Sequence, residues 1–390
     1  MTERPVPIAA APTAEEMQLR LAKVRTHMAT HSLDAYVAAS PDNVFYLTNF
    51  ANYVHERPFL LVITPTGPLR FVAPKLEVPH VRSRVVGALD IVAYAEFPAL
   101  AGGRWEDALR PLIPSGARVG VESTCPLQVY NAIAGETVCS DAVDDARMVK
   151  TAYEIGRIAY AATLISETMQ LMLRGAKPGF SLLQFAGGLQ QMMMPRILAD
   201  RPQTNMLATK LMGVFQPPSV SHDPHNFTNI HMVMEPGGPH VAILNCTING
   251  YAAEIERSFF VGAVPDAARK PYEVMMAGRQ LALELTVPGV RMSEVDRQVN
   301  SLFRQAGYGD NLLHRCGHGI GVTGHEGPFL AEGDDRFIEP GMCFTIEPGI
   351  YIPGLGGFRH SDTVITTATG NVLLTQGSVA LQDLTFGGAP

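Results

Sequence analysis

No apolar run approaches the roughly 18 residues that a membrane-crossing helix requires, so no membrane contact is expected. Basic blocks are equally absent. Thirty Lys and Arg stand against 37 Asp and Glu, a formal charge of −7, which argues against nucleic acid as a partner. The opening Met1-Thr2-Glu3-Arg4-Pro5 has no basic region followed by an apolar stretch, and a signal peptide is not expected. The five cysteines are odd in number and widely spaced, with no CxxC pair for zinc or thiol chemistry. Reduced thiols in a cytoplasmic chain are the expectation. Charged residues are sparse at 17%, whereas apolar residues reach 46%. That is enough for a large core and far from the composition of a disordered chain. What the second half does carry is histidine: eight of the 12 follow residue 220.

A length of 390 residues suggests two domains. Thr13 to Thr30 has helical spacing (Met17, Leu21, Val24, Met28) behind a Thr13-x-x-Glu16 capping signal. Strand-like runs follow at 35–39, 59–64, 69–73 and 90–93, so residues 1–147 are expected to form an α/β domain. An acidic seam at 140–147 precedes a long, largely apolar helix at 152–173, which places the boundary near 148. Residues 148–390 then read as two helices and strands, twice over, with the helix at 181–194 expected to stop at Pro195. That order suggests an α+β domain of two related halves.

The densest chemical signal is Gly317-His318-Gly319-Ile320-Gly321-Val322-Thr323-Gly324-His325-Glu326-Gly327-Pro328. On one regular strand His318 and His325 would face opposite sides, and a turn at Gly321 or Gly324 would bring them to one pocket. Thr345-Ile346-Glu347-Pro348-Gly349 puts a carboxylate inside an apolar run, where it needs a partner or a role. Strand alternation sets Glu254 and Glu256 on one face, able to bind a cation or share a proton. His225 lies in a Pro- and Asn-marked loop, where histidine can act as a base near neutral pH.

In this order and spacing, the His318 and His325 motif, Thr345–Gly349 and Gly356-Gly357-x-Arg359-x-x-Asp362-Thr363 resemble the pita-bread family of creatinase, prolidase, aminopeptidase P and methionine aminopeptidase. The likeness spans the chain, since Ser40–Thr48 resembles the N-terminal domain of prolidase and creatinase. It implies an N-terminal α/β domain and a C-terminal pita-bread α+β domain with pseudo-two-fold halves. The family's metallopeptidases hold two ions with two Asp, one His and two Glu. Carried over, the first Asp has no counterpart (Asn245 is nearest), the second falls on Glu254, the His on His318, the first Glu on Glu347, and the last on Ser361.

Two lost carboxylates make the metal-free creatinase branch the leading expectation. The resemblance then implies a dimeric, metal-independent hydrolase of a non-peptide C–N bond, amidine, guanidine or amide, in a small polar substrate. His225, Glu256, Glu347 and His325 would be catalytic. Glu254, His318, His360, Arg57, His55 and Arg336 would bind substrate, with Arg57 reaching across the homodimer, and no cofactor is expected. His360 departs from creatinase, which has a glutamate there. Alternatives are one divalent ion at Glu254, His318 and Glu347, a metal-dependent Xaa-Pro dipeptidase or aminopeptidase with an altered site, and a non-catalytic binding protein on the same scaffold.

Overall fold

The protein is described here as a computed structural model covering residues 3–53, 56–227 and 229–387. The chain divides into two compact units, one running from Ala10 to Arg147, the other joining the residues up to Ala9 to those from Met148 onward. The short leader belongs with the second unit because Ile8 N donates to Gly156 O at 2.9 Å. Gly156 permits this approach: a Cβ there would lie 2.5 Å from Ile8 Cδ1.

The first unit carries a six-stranded mixed sheet of β1 (Ala35–Ala38), β2 (Leu60–Ile63), β3 (Leu69–Pro74), β4 (Leu89–Tyr94), β5 (Arg118–Val121) and β6 (Glu136–Cys139), in the order β4-β3-β2-β1-β5-β6. Alternate residues such as Val37, Val62, Val72 and Val119 meet Trp105 and Leu109 in its core. The helix Ala14–Thr30 begins where Thr13 accepts from Glu16 N. Buried Glu122 accepts from the amides of Ala39 and Ser40 at 2.9 and 2.8 Å and from Asn43 Nδ2 at 2.9 Å, fixing the entry to the helix Pro41–Thr48.

In the second unit the helices Ala152–Arg174 and Leu182–Asp200 precede β7 (Lys210–Gln216), β8 (Gly237–Ile248) and β9 (Tyr251–Val261). The helices Asp266–Leu285 and Met292–Gln305 then precede β10 (Gly317–Gly319), β11 (Glu326–Leu330), β12 (Cys343–Ile346), β13 (Gly349–Ile352), β14 (Gly356–Arg359) and β15 (Ser361–Thr367). Six of these strands join β9 in a curled sheet, ordered β11-β10-β12-β15-β9-β8-β7. Pro195 does not end its helix, which continues to Asp200. Leu189, Met193 and Ile197 are buried on one face on both sides of the proline, and that packing offsets the missing backbone hydrogen bond. None of the helices among the described residues is long and apolar enough to cross a membrane.

The hairpin β8–β9 turns at Asn249 and Gly250, with φ of 47° and 84°, the left-handed pair that a tight two-residue hairpin needs. This turn sets Asn245 opposite Glu254 and Ile243 opposite Glu256. Every residue of β9 is buried. Its charged residues must therefore find partners on one face or the other.

Candidate active site

Alternation along β9 sends Glu254 and Glu256 toward one face, and both line a cavity of about 430 Å³ together with His225, His325, Glu347 and Arg359. His318 is held by its backbone, whose N–H meets Thr345 Oγ1 at 3.1 Å. Its Nδ1 lies 2.9 Å from Gly319 O, which makes Nδ1–H the donor and leaves a lone pair on Nε2. That Nε2 is buried without a hydrogen-bond partner and stands 3.4 Å from Glu347 Oε1. Two facing acceptors at this distance require a proton or a cation between them. Glu347 is fixed in turn by its amide, which donates to Cys316 O at 2.8 Å. The Gly321–Gly324 turn folds His325 back onto His318, ring centroids 3.8 Å apart and planes 20° from parallel.

One donor atom each from Glu254, His318 and His325 lies within 4.8 Å of the others, and the same holds for Glu254, Glu256 and Glu347. Burial pushes the Glu347 carboxyl up to about 8, helped by the adjacent Glu254 charge. Burial likewise raises Glu256, against the pull of Arg359. For Glu254 burial is outweighed by His318 and by hydrogen bonds from Ser361 and Asn245, so it stays below the usual carboxylate range. Ser361 Oγ donates to Glu254 Oε1 at 2.8 Å and Asn245 Nδ2 to Oε2 at 2.7 Å. A cluster of buried carboxylates beside a bare imidazole nitrogen is the donor chemistry that a divalent cation satisfies. The residues present fit one.

Around this centre, Arg359 pairs with Glu256 through Nε and through Nη2 at 2.9 Å. Its Nη1 meets Tyr351 OH at 3.1 Å, and Tyr351 OH lies 2.6 Å from His314 Nε2. His314 Nδ1 faces Arg315 O at 2.7 Å, which assigns the Nδ1–H tautomer. Burial, then the Arg359 charge, lower the His314 pKa to about 3.

Several candidates from the sequence are placed elsewhere. His360, between β14 and β15, points to the opposite face of the sheet from Arg359 and Ser361. There it is fully buried, 3.4 Å from Tyr272 OH, with Arg257 and Arg279 close enough to depress its pKa further below the value set by burial. It cannot contact a substrate in the cavity. Arg336 faces a neighbouring cavity and is bound by Asp334 through Nε at 2.8 Å. Arg57 belongs to the first unit and is engaged by Glu96 and Glu56, each at 2.6 Å, while His55 lies outside the described residues. Arg315, which the sequence motifs did not single out, lines the cavity. Its position just before the Gly317–His318 motif was the available signal.

Residues 156–368 match Metallopeptidase family M24, and residues 20–149 match the Creatinase/Prolidase N-terminal domain. The Xaa-Pro dipeptidase of Pyrococcus furiosus is 26% identical over 92% of this chain and 98% of its own length. The solved Xaa-Pro dipeptidase of Bacillus anthracis aligns with a TM-score of 0.78 at 25% identity, covering 95% of this chain and all of that one. The prolidase of Pyrococcus horikoshii aligns at 0.79 over 93% of this chain and 99% of its own, at 24% identity. These likenesses overturn the expectation of a metal-independent, creatinase-like hydrolase of a non-peptide bond, because relatives matched over nearly their full length are named for Xaa-Pro peptides. The expected absence of a cofactor is corrected with it. Loss of two carboxylates does not empty the site, since Glu254, Glu256, Glu347, His318 and His325 still converge.

Proposed function

The chain belongs to metallopeptidase family M24, and on that premise we propose that it hydrolyses the bond preceding proline in Xaa-Pro dipeptides with the help of one divalent ion. Glu254, His318 and Glu347 would hold the ion, with His325 beside them. The observation that carries this reading is the buried, bare Nε2 of His318 facing Glu347 with Glu254 in reach. One ion is preferred to two because the groups flanking Glu254 are the neutral amide of Asn245 and the hydroxyl of Ser361. Neither supplies the negative charge that offsets a second dication.

When bound, such an ion would lower the pKa of a water and polarise the scissile carbonyl. The remaining work falls to the chain. Glu347 on the cavity wall would accept the proton of the attacking water. His225 on the cavity wall would give a proton to the proline nitrogen as the C–N bond breaks. Met212, Val214, Ile243 and Phe227 line the same cavity and offer the pyrrolidine ring an apolar wall, and about 430 Å³ suits a small ligand. The acidic cluster gives the substrate's amino terminus a complementary charge.

Activity on Ala-Pro tests the reading. Chelation should abolish it and Mn²⁺ or Zn²⁺ should restore it. Undiminished turnover of chelated protein, or none in any metal, would sink the proposal.

A further inference from the structure

His325 lines the cavity with its ring nitrogens uncommitted. The ring stacks on His318 and makes no hydrogen bond to any described residue. Its backbone, by contrast, is tied down. Thr323 Oγ1 donates to His325 O at 2.8 Å, and Gly321 O accepts from Ala252 N on β9 at 2.7 Å. Glu326, the next residue, is clamped by the buried Lys150 Nζ at 2.6 Å. Gly324 rests on the Asn245 side chain, where a Cβ would lie 2.7 Å from Oδ1, a contact that a larger residue would push apart. Asn245 is itself held against Glu254 Oε2. A buried ion pair and a close glycine contact thus aim an imidazole that the fold itself does not use.

One donor atom each of Glu254, His318 and His325 lies within 4.8 Å of the other two. Two donors on one ion at about 2.1 Å stand at most about 4.2 Å apart, so a small side-chain adjustment closes this set. The His318 nitrogen is the buried, unpartnered Nε2, and the two rings lie 20° from parallel with centroids 3.8 Å apart. Resting on the metal-dependent reading above, we infer that His325 is itself a ligand, joining Glu254, His318 and Glu347, and that it tilts the site toward zinc over manganese. The physical reason is the balance of donor types. Two carboxylates neutralise a dication, and Asn245 and Ser361 add no further charge for a hard ion. A second imidazole favours a borderline ion such as Zn²⁺, whereas Mn²⁺ prefers oxygen. Nitrogen from His325 stands in for the oxygen donors that Asn245 and Ser361 do not provide.

The test loads the chelated full chain with Zn²⁺, Co²⁺ or Mn²⁺, follows binding by competition titration, and counts imidazole ligands by X-ray absorption of the zinc form. The wild type should show two imidazoles and His325→Ala one. That variant should bind Zn²⁺ more than about 100-fold less tightly, beyond the usual loss for a partner one layer outside the ligands. Its loss for Mn²⁺ should be smaller, so the ratio of the two affinities falls. His325→Cys should hold Zn²⁺ and give the Co²⁺ form a thiolate-to-cobalt absorption band, and it decides the matter should the Ala variant fail to fold. One imidazole in the wild type, equal weakening of both ions, or a cobalt form of His325→Cys without that band would overturn the assignment while leaving the metal-dependent peptidase intact. A wild type that bound no ion stoichiometrically would overturn both.

Discussion

The two faces of the sheet formed by β9 and β15 hold similar numbers of buried charges and treat them in opposite ways. On the far face, Asp362 receives Arg257 Nη2 at 2.8 Å, Arg279 Nη2 at 2.6 Å and Thr375 Oγ1 at 2.9 Å. Arg257 also caps the carbonyls of Glu256 and Ser361 at 2.7 and 3.0 Å. Burial alone would raise the Asp362 pKa, and the two arginines hold it below the ordinary range instead. On the cavity face Glu254, Glu256 and Glu347 share one paired arginine, and a buried imidazole nitrogen goes unmatched. The difference teaches that burial of charge does not mark a site. An imbalance of buried charge does, because stability is given up there for binding.

Removing one partner from the balanced face should have the largest effect. Asp362→Asn leaves two buried guanidinium groups short of charge and is expected to cost about 3–5 kcal/mol of unfolding free energy, read by denaturant titration. The mirror experiment on the cavity face is Glu254→Gln. In metal-free protein it should cost less, about 1–3 kcal/mol, because it disturbs the hydrogen bonds from the neutral Ser361 and Asn245 rather than stranding two guanidinium groups. It should nevertheless lower metal content, measured by mass spectrometry, and cut kcat/KM by more than about 100-fold, the usual ceiling for partners one layer outside the ligands. Equal destabilisation by the two variants would erase the contrast between the faces.

A third expectation uses a histidine remote from the cavity. His240 accepts from Glu235 N at 3.1 Å, stacks on Phe259 with centroids 4.8 Å apart, and burial lowers its pKa to about 4. Its folded pKa lies below the unfolded value of about 6.5. The stability tied to its neutral form is therefore complete above pH 6.5 and drains away as pH falls toward 4. Between pH 7.5 and 4.5 this amounts to about 2–3 kcal/mol. His240→Gln should show that much less loss over the interval, whereas an identical pH profile would contradict the assignment. The smallest effect is expected of His360→Gln, which should leave kcat/KM within about twofold, because the ring points away from the cavity. A collapse of activity at unchanged stability would return His360 to the site.

Much of the fold was legible because the signals were local. Thr13 and Glu16 mark a helix start, and the apolar runs of the first unit mark its strands. The cavity residues on β9 followed from alternation alone. Three things were not legible, each because it depends on contacts distant in sequence. His360 changes face where β14 gives way to β15. Pro195 is tolerated because Leu189, Met193 and Ile197 pack around it. Arg315 reaches the cavity only through its packing over Phe329. Asn245 and Ser361, read in the sequence as the places of two lost carboxylates, were over-read. What they do in three dimensions is donate to the two oxygens of Glu254, narrowing the donor set without abolishing it.

The most direct measurement is a stoichiometric add-back: strip the protein with chelator, titrate Mn²⁺, and follow Ala-Pro hydrolysis alongside bound metal. Activity should be absent at the start and reach its plateau at one ion per chain. Full turnover without metal, or a plateau only at two ions, would contradict the reading of the cavity face.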